Sequence, residues 1–467
     1  MIDESIIREY DIRGIYNKTL TKNSAYLIGW SFAQYIKQYS EFKTNIVSVC
    51  RDGRLSSPAL CAYLIKGLRD GGIDVENIGV GPTPLLYYST FIHKVDAGIM
   101  VTGSHNPGDY NGFKFIFNQK PFFGDHIKAL FEISKKYKKS DISNTQGAVK
   151  HVSFTEEYTR MLVQECKAKR ELKIAWDPGN GAAGEVTKRL CDALPGTHYI
   201  INEKIDGNFP AHHPDPTVKA NLEQLISLVR DKECDLGIAF DGDGDRIGVI
   251  DKFGRIVWGD QLLIFLAKDI LSRKPGASII ADVKASKIFF DEIRKYGGNP
   301  VMWKTGHSNI KQHMKDINSP LAGEMSGHIF IADNYFGYDD ALYTAIRFIK
   351  LIANSDKDLH EMINDLPHTY TTPEIRIECE DSKKFIVVDA IQKKMKRDNK
   401  KFISIDGIRY DFSDGWWLLR ASNTQPALVC RIESIVKESI YREFEILCHL
   451  LAEEGVRLVD ADLTIDG

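Results

Sequence analysis

Long apolar runs are missing from this 467-residue chain, and none approaches the roughly 20 residues that a membrane-crossing helix needs. Excess charge of one sign is missing too. With 61 Lys and Arg against 64 Asp and Glu the net charge is −3, so bulk electrostatics argues for neither a nucleic-acid nor a membrane surface. The eight cysteines (50, 61, 166, 191, 234, 379, 430 and 448) form no C-x-x-C pair and sit in apolar segments. They read as reduced core thiols, not as disulfides or zinc ligands. The opening Met1-Ile2-Asp3-Glu4-Ser5 is acidic where a secretory signal would be basic. No low-complexity linker interrupts the chain, so neighbouring domains are expected to share interfaces. What is present is ordinary globular composition, 43% hydrophobic and 27% charged. The length calls for about three or four domains, and the reading is a cytoplasmic multidomain protein.

A unit of strand, polar loop, helix and strand recurs. It runs through 45–50, Arg51-Asp52-Gly53-Arg54, 57–70 and 75–80. It returns through 172–176, Asp177-Pro178-Gly179-Asn180-Gly181, 182–194 and 197–201, and again through 278–281, Asp282-Val283-Lys284, 286–296 and 300–303. Three such units predict three parallel-sheet α/β domains. Each is followed by a further short apolar strand (96–101, 235–240, 320–322) that ends in a polar, glycine-containing loop, which points to an internal repeat. After Pro367 the pattern changes: a strand at 374–378, a helix at 389–396, short strands around Phe402, Ile408 and Trp416, a strand at 428–432 and a helix at 438–454. This is a smaller α+β domain. The expected boundaries give domains 1–152, 153–255, 256–368 and 369–467.

The loop Asp241-Gly242-Asp243-Gly244-Asp245-Arg246 follows the buried-looking strand 236–240. Three carboxylates so close together repel one another unless a cation sits among them, and hard oxygen ligands favour Mg²⁺ or Ca²⁺. The calcium-sensor loop does not fit, because it needs Gly at its sixth position and Glu at its twelfth, where Arg246 and Lys252 stand. In Thr102-Gly103-Ser104-His105-Asn106-Pro107, a serine with polar neighbours and Lys114 shortly after suits a phosphate carrier. An ordinary turn serine is the commoner occurrence of such a loop, as a solvated turn is of an isolated acidic one.

Together T-G-S-H-N-P, D-G-D-G-D-R, G-E-M-S-G-H (323–328) and R-A-S-N-T-Q-P (420–426), in this order, resemble the α-D-phosphohexomutase superfamily. R-E-Y-D-I-R-G (8–14), N-G-F-K (111–114) and K-T-G-H-S-N-I-K (304–311) are similar to its bacterial phosphomannomutase/phosphoglucomutase branch, so the resemblance spans the chain. It implies three similar α/β domains with mixed, mostly parallel sheets, plus the smaller α+β domain, around a central cleft. It implies an active form phosphorylated on Ser104, with Asp241, Asp243 and Asp245 holding Mg²⁺ against that phosphate. Arg246 and Lys114 would disperse charge on the group in transit. Glu324 and Ser326 would accept the sugar's 3- and 4-hydroxyls, and Arg420, Ser422, Asn423 and Thr424 would bind the phosphate that is not reacting. Tyr10, Arg13 and Lys284 are secondary ligand contacts. His307, His328 and Lys114 are the candidates for acid–base work. The substrates would be hexose phosphates, with glucose or mannose 1,6-bisphosphate as activator and the protein a monomer or weak dimer.

Two other enzyme classes compete. Gly179-Asn180-Gly181-Ala182-Ala183-Gly184 satisfies the dinucleotide fingerprint, with Glu203 about 20 residues on. But Asp177-Pro178 lengthens the turn and a redox reading leaves the other loops unexplained, so the glycines are read as a tight turn with helix–strand packing. A metal-dependent sugar-phosphate phosphatase, or a mutase for glucosamine phosphate, shares the serine and the acids. A sugar-phosphate binder without catalysis would not need a serine beside three carboxylates.

Overall fold

The computed structural model describes residues 2–422, 425–458 and 463–465. Its strands form four sheets that occupy successive stretches of the chain. In the first, Ile46–Arg51 pairs parallel with both Asp74–Val80 and Ala97–Val101, and Tyr110–Phe117 then adds antiparallel to Ala97–Val101. The second repeats this order with Lys173–Asp177, Thr197–Ile200, Leu236–Phe240 and antiparallel Ile247–Asp251. So does the third, with Ser278–Asp282, Asn299–Trp303, Leu321–Gly323 and antiparallel Ile329–Ile331. The internal repeat is therefore one of topology. In each copy the loop that the sequence marked joins a buried parallel strand to the antiparallel strand beside it.

The local reasons are ordinary. Leu236–Phe240 is buried at all five positions, as expected of a strand covered on both faces. Thr21 caps the helix Lys22–Tyr39 reciprocally with Ser24, and Asp340 caps Ala341–Ala353 by accepting from Tyr343 N–H. Some elements differ from the expectations; the strand expected around Phe402 is only an isolated bridge between Ile403 and Arg409. The helix placed at 389–396 begins earlier, at Lys384–Arg397, because exposed Phe385 and Ile386 put apolar residues on its solvent side and blur its period. The strand Val149–His151 has no apolar signal, since all three residues are exposed and only its pairing to Asp74–Val80 defines it.

The fourth sheet is antiparallel: Tyr370–Thr371, Ile375–Glu378, Ile408–Phe412, Gly415–Ala421 and Ala427–Ser434, covered by Lys384–Arg397 and Lys437–Glu453. Ile256–Val257, just past 255, still pairs in the second sheet, so we propose that this boundary falls after Val257.

The domains share their cores. One buried cluster runs through Leu85, Trp176, Leu262 and Leu342, and Tyr158 donates to both carboxylate oxygens of Asp340 at 2.8 Å. Val283 packs on Trp416 and Leu418 of the fourth domain. There Arg409 donates to the carbonyls of Val283 and Ala285, and Arg431 reaches Lys284 O. These contacts bring the carboxyl-end loops of all three α/β sheets to one place.

Candidate active site

Ser104 is 2% exposed and has φ +51°, an uncommon conformation for a residue with a side chain. Its Oγ donates to Asp241 Oδ2 at 3.1 Å and lies 3.1 Å from His105 Nδ1. Its N–H is taken by Thr102 Oγ at 2.8 Å. The acidic loop approaches so closely that a Cβ on Gly242 would stand 2.4 Å from Ser104 O, which only glycine avoids.

Asp241, Asp243 and Asp245 are all fully buried, and one oxygen of each lies within 4.8 Å of the others. Asp241 Oδ1 accepts from the N–H groups of Asp245 and Arg246 at 3.0 and 3.1 Å. Burial first, then Asp245 and Asp243, push the Asp241 carboxyl well above its ordinary range. Lys114 Nζ bridges Asp243, at 2.7 Å, and Asp245. Burial works against its charge, yet the three carboxylates hold the ammonium above its ordinary range. Asp243 Oδ1 and Asp245 Oδ1 are buried and accept no hydrogen bond from the described residues. Buried carboxylate oxygens left unpaired are costly. The donor set, three hard carboxylates beside a hydroxyl, fits a divalent cation such as Mg²⁺.

Across the cleft, Arg246 Nε donates to His328 Nε2 at 3.0 Å, and the rings of His328 and His307 stack at 5.5 Å. Burial first, then Arg246, lowers the His328 pKa well below its ordinary value, and burial with Lys311 lowers that of His307. Glu324 Oε1 accepts from Gly306 N–H at 2.6 Å, and Ser326 Oγ lies 3.5 Å from its other oxygen. Burial, reinforced by Asp282 and opposed by Lys284, raises the Glu324 carboxyl to about 7. Lys284 Nζ is 2.8 Å from Glu374 and 3.8 Å from Asp282. Arg420 Nε donates to Asp406 at 3.1 Å, and Asp406 also accepts from Thr305 N–H at 3.0 Å, so the fourth domain reaches the His307 loop. Ser422 Oγ accepts from Gln425 N–H. Asn423 and Thr424 lie outside the described residues.

The two residues from the opening segment also reach the cleft. Arg13 donates to Asn106 Oδ1 at 3.3 Å and pairs with Asp11. Tyr10 OH donates to Thr305 O and accepts from Asn309, both at 3.1 Å, and its ring sits on Gly306, where a Cβ would come within 2.5 Å of Cζ.

Family models for the alpha/beta/alpha domains I, II and III and the C-terminal domain of phosphoglucomutase/phosphomannomutase match residues 4–141, 154–254, 258–370 and 374–445. The chain belongs to the phosphoglucomutase/phosphomannomutase family, within the α-D-phosphohexomutase superfamily. It is 44% identical to a phosphomannomutase/phosphoglucomutase of Pseudomonas putida over 433 residues, covering 93% of this chain and 92% of that one. To a phosphoglucomutase of Neisseria meningitidis it is 41% identical over 443 residues, covering 94% and 95%. The crystal structure of a phosphoglucomutase/phosphomannomutase family protein from Burkholderia thailandensis superposes with a TM-score of 0.91 at 37% identity, covering 98% of this chain and all of that one.

Several residues packed against this site were not singled out in the sequence. Arg54, fully buried, donates to the carbonyls of Ser104 (2.7 Å), Asn106 (2.5 Å), Pro107 (2.5 Å) and Tyr110 (3.1 Å) and so moulds the serine loop. Asp52 pairs with Arg54 and accepts from Thr102 Oγ and Gly103 N–H. Thr83, at the start of helix Thr83–Ile92, donates from Oγ to Asp243 at 2.5 Å. The signal for Arg54 was present, a polar Asp-Gly-Arg loop at the carboxyl end of a buried strand. Thr83 carried none. The glycines of 179–184 serve packing: Ala182 N–H donates to Gly242 O at 2.9 Å, bracing the acidic loop. His212 hydrogen-bonds Asp177 at 2.8 Å.

Proposed function

We propose that this chain interconverts the 1- and 6-phosphates of mannose and glucose, moving a phosphoryl group between C1 and C6 through phospho-Ser104 and a hexose 1,6-bisphosphate. The observation that carries the reading is the meeting of Ser104 Oγ with the Asp241–Asp245 carboxylates and Lys114 in one buried place built from two domains. The names of its relatives, phosphomannomutase/phosphoglucomutase and phosphoglucomutase, support it.

Asp241, Asp243, Asp245 and the phosphate on Ser104 would hold Mg²⁺. Bound there, it neutralises charge that builds on the phosphoryl oxygens. In the first half-reaction the P–Oγ bond to Ser104 breaks and the free hydroxyl oxygen of the hexose phosphate bonds to phosphorus. The hydroxyl proton passes to the His307–His328 pair and one proton is returned to the leaving Ser104 Oγ, so the net transfer runs from sugar hydroxyl to serine hydroxyl and the pair ends neutral. Lys114 and Arg246 disperse the charge in transit. The bisphosphate then turns in the cleft, and its other phosphate returns to Ser104. Arg420, Ser422, Asn423 and Thr424 take the phosphate that is not reacting, with Tyr10, Arg13 and Lys284 as further contacts. Glu324 and Ser326 read the 3- and 4-hydroxyls. Glucose and mannose differ at C2, so such a reader accepts both. A hexose 1,6-bisphosphate restores phospho-Ser104 when it is lost. Eight cysteines with no C-x-x-C pair accord with a cytoplasmic protein, acting as a monomer or weak dimer.

The test assays mannose, glucose and glucosamine phosphates side by side, with and without glucose 1,6-bisphosphate. Both hexoses should react and the bisphosphate should raise the rate. Steady release of inorganic phosphate in place of the isomer would make the protein a phosphatase, and a preference for the glucosamine compound would make it that sugar's mutase. Wild-type turnover by Ser104→Ala would sink the account.

A further inference from the structure

The Asp339 carboxylate, which no motif pointed to, lies between the two cleft histidines. Its Oδ2 is 3.1 Å from His307 Nδ1 and 3.5 Å from His328 Nδ1, and its Oδ1 accepts from Lys311 Nζ at 2.7 Å. Asp339 is 0% exposed, Lys311 7% and His328 4%. A carboxylate so buried would protonate without a counter-ion. Burial does push Asp339 that way, but Lys311 and the imidazoles outweigh it and hold the carboxyl well below its ordinary range.

An ionised carboxylate only accepts hydrogen bonds. The His307 nitrogen that faces it must therefore carry the proton, and a neutral ring then has its lone pair on Nε2. The same holds for His328 by an independent route. Its Nε2 accepts from Arg246 Nε, so its proton sits on Nδ1, the atom that faces Asp339 and, at 3.7 Å, Asp245. Asp339 thus sets the tautomer of His307, and Arg246 sets the same tautomer in His328 from the opposite side of its ring.

We propose that Asp339, with Lys311 as its counter-ion, is a positioning residue for His307, holding its ring protonated at Nδ1 so that Nε2 is its basic atom. The proposal rests on the mutase reading. When the sugar oxygen bonds to phosphorus and the P–Oγ bond breaks, the hydroxyl proton goes to the His307 Nε2 lone pair and a proton is returned to Ser104 Oγ. The wrong tautomer has no lone pair there to receive it.

The experiment uses the full chain with ¹⁵N-labelled histidine. In the wild type, long-range ¹H–¹⁵N spectra should show Nδ1–H for His307 and His328. Asp339→Asn offers an amide N–H in place of the acceptor and should move His307 toward the Nε2–H tautomer. It should also lower kcat on the order of 100-fold or more with KM changed less than about threefold. Asp339→Asn with Lys311→Met removes the ammonium left unpaired and, with folding checked by circular dichroism, should show the same two effects. An Nδ1–H tautomer of His307 retained in both variants would overturn the proposal, whether kcat falls or not. A wild-type protein inactive on every hexose phosphate would instead overturn the mutase reading and leave the tautomer result standing.

Discussion

Ser104 Oγ and Asp241 Oδ2 lie 3.1 Å apart across 137 positions of sequence, so the serine and the acidic loop form one site, not two. Ser104 and the three aspartates come from equivalent loops of two copies of the same topology. A phosphate on that oxygen would stand against carboxylates that already repel one another.

Metal binding should therefore depend on phosphorylation. Calorimetry with Mg²⁺ on phosphorylated and dephosphorylated protein should give affinity lower by about tenfold, ~1.4 kcal/mol, in the latter. Equal affinities would count against phospho-Ser104 as a ligand.

Arg54→Lys keeps a charge but cannot satisfy four carbonyls with a planar fork. It should lower kcat by about tenfold or more through a displaced serine, with Mg²⁺ binding to the aspartates retained. Arg54→Met leaves those carbonyls unpaired and should cost about 3 kcal/mol or more in urea unfolding. Unchanged kcat in the lysine variant would remove Arg54 from the site.

The Glu324 carboxyl, raised to about 7, gives a pH dependence of defined sign. If Glu324 reads the sugar hydroxyls as proposed, and accepts more strongly when ionised, KM for glucose 1-phosphate should fall as pH rises through 7. Glu324→Gln should flatten that trend, leaving only the substrate's own ionisation. Stability runs the other way. With a folded pKa above the unfolded one, near 4.5, this group's contribution is fully present below that value and is lost as pH rises toward 7. Thermal melts of the two proteins between pH 5 and 8 check this, and parallel curves would refute it.

Gly306→Ala should destabilise by about 2 kcal/mol or more, since φ is +123° and the new Cβ meets the Tyr10 ring. Tyr10→Phe keeps the ring and loses the hydroxyl's bonds to Thr305 and Asn309, about 1 kcal/mol. If the tyrosine variant is the worse of the two in chemical unfolding, the seat on Gly306 is not what joins these domains.

What the sequence determined by itself was the repeat and its loops. Apolar runs that stop at Asp241 or Thr102 are local signals, and a strand buried on both faces shows in its own residues. Hence Ser104, the three aspartates, Lys114 and Glu324 were legible, and the fold brings them into one cleft. Only the tertiary structure decided who holds them in place. Arg54 grips carbonyls, which have no side-chain code. Thr83 reaches Asp243 from 160 positions away, and Asp339 looks like half of a helix cap until His307, His328 and Lys311 pack around it. A local pattern records what a residue offers, but its partner is set by packing between domains, which no short stretch of chain contains.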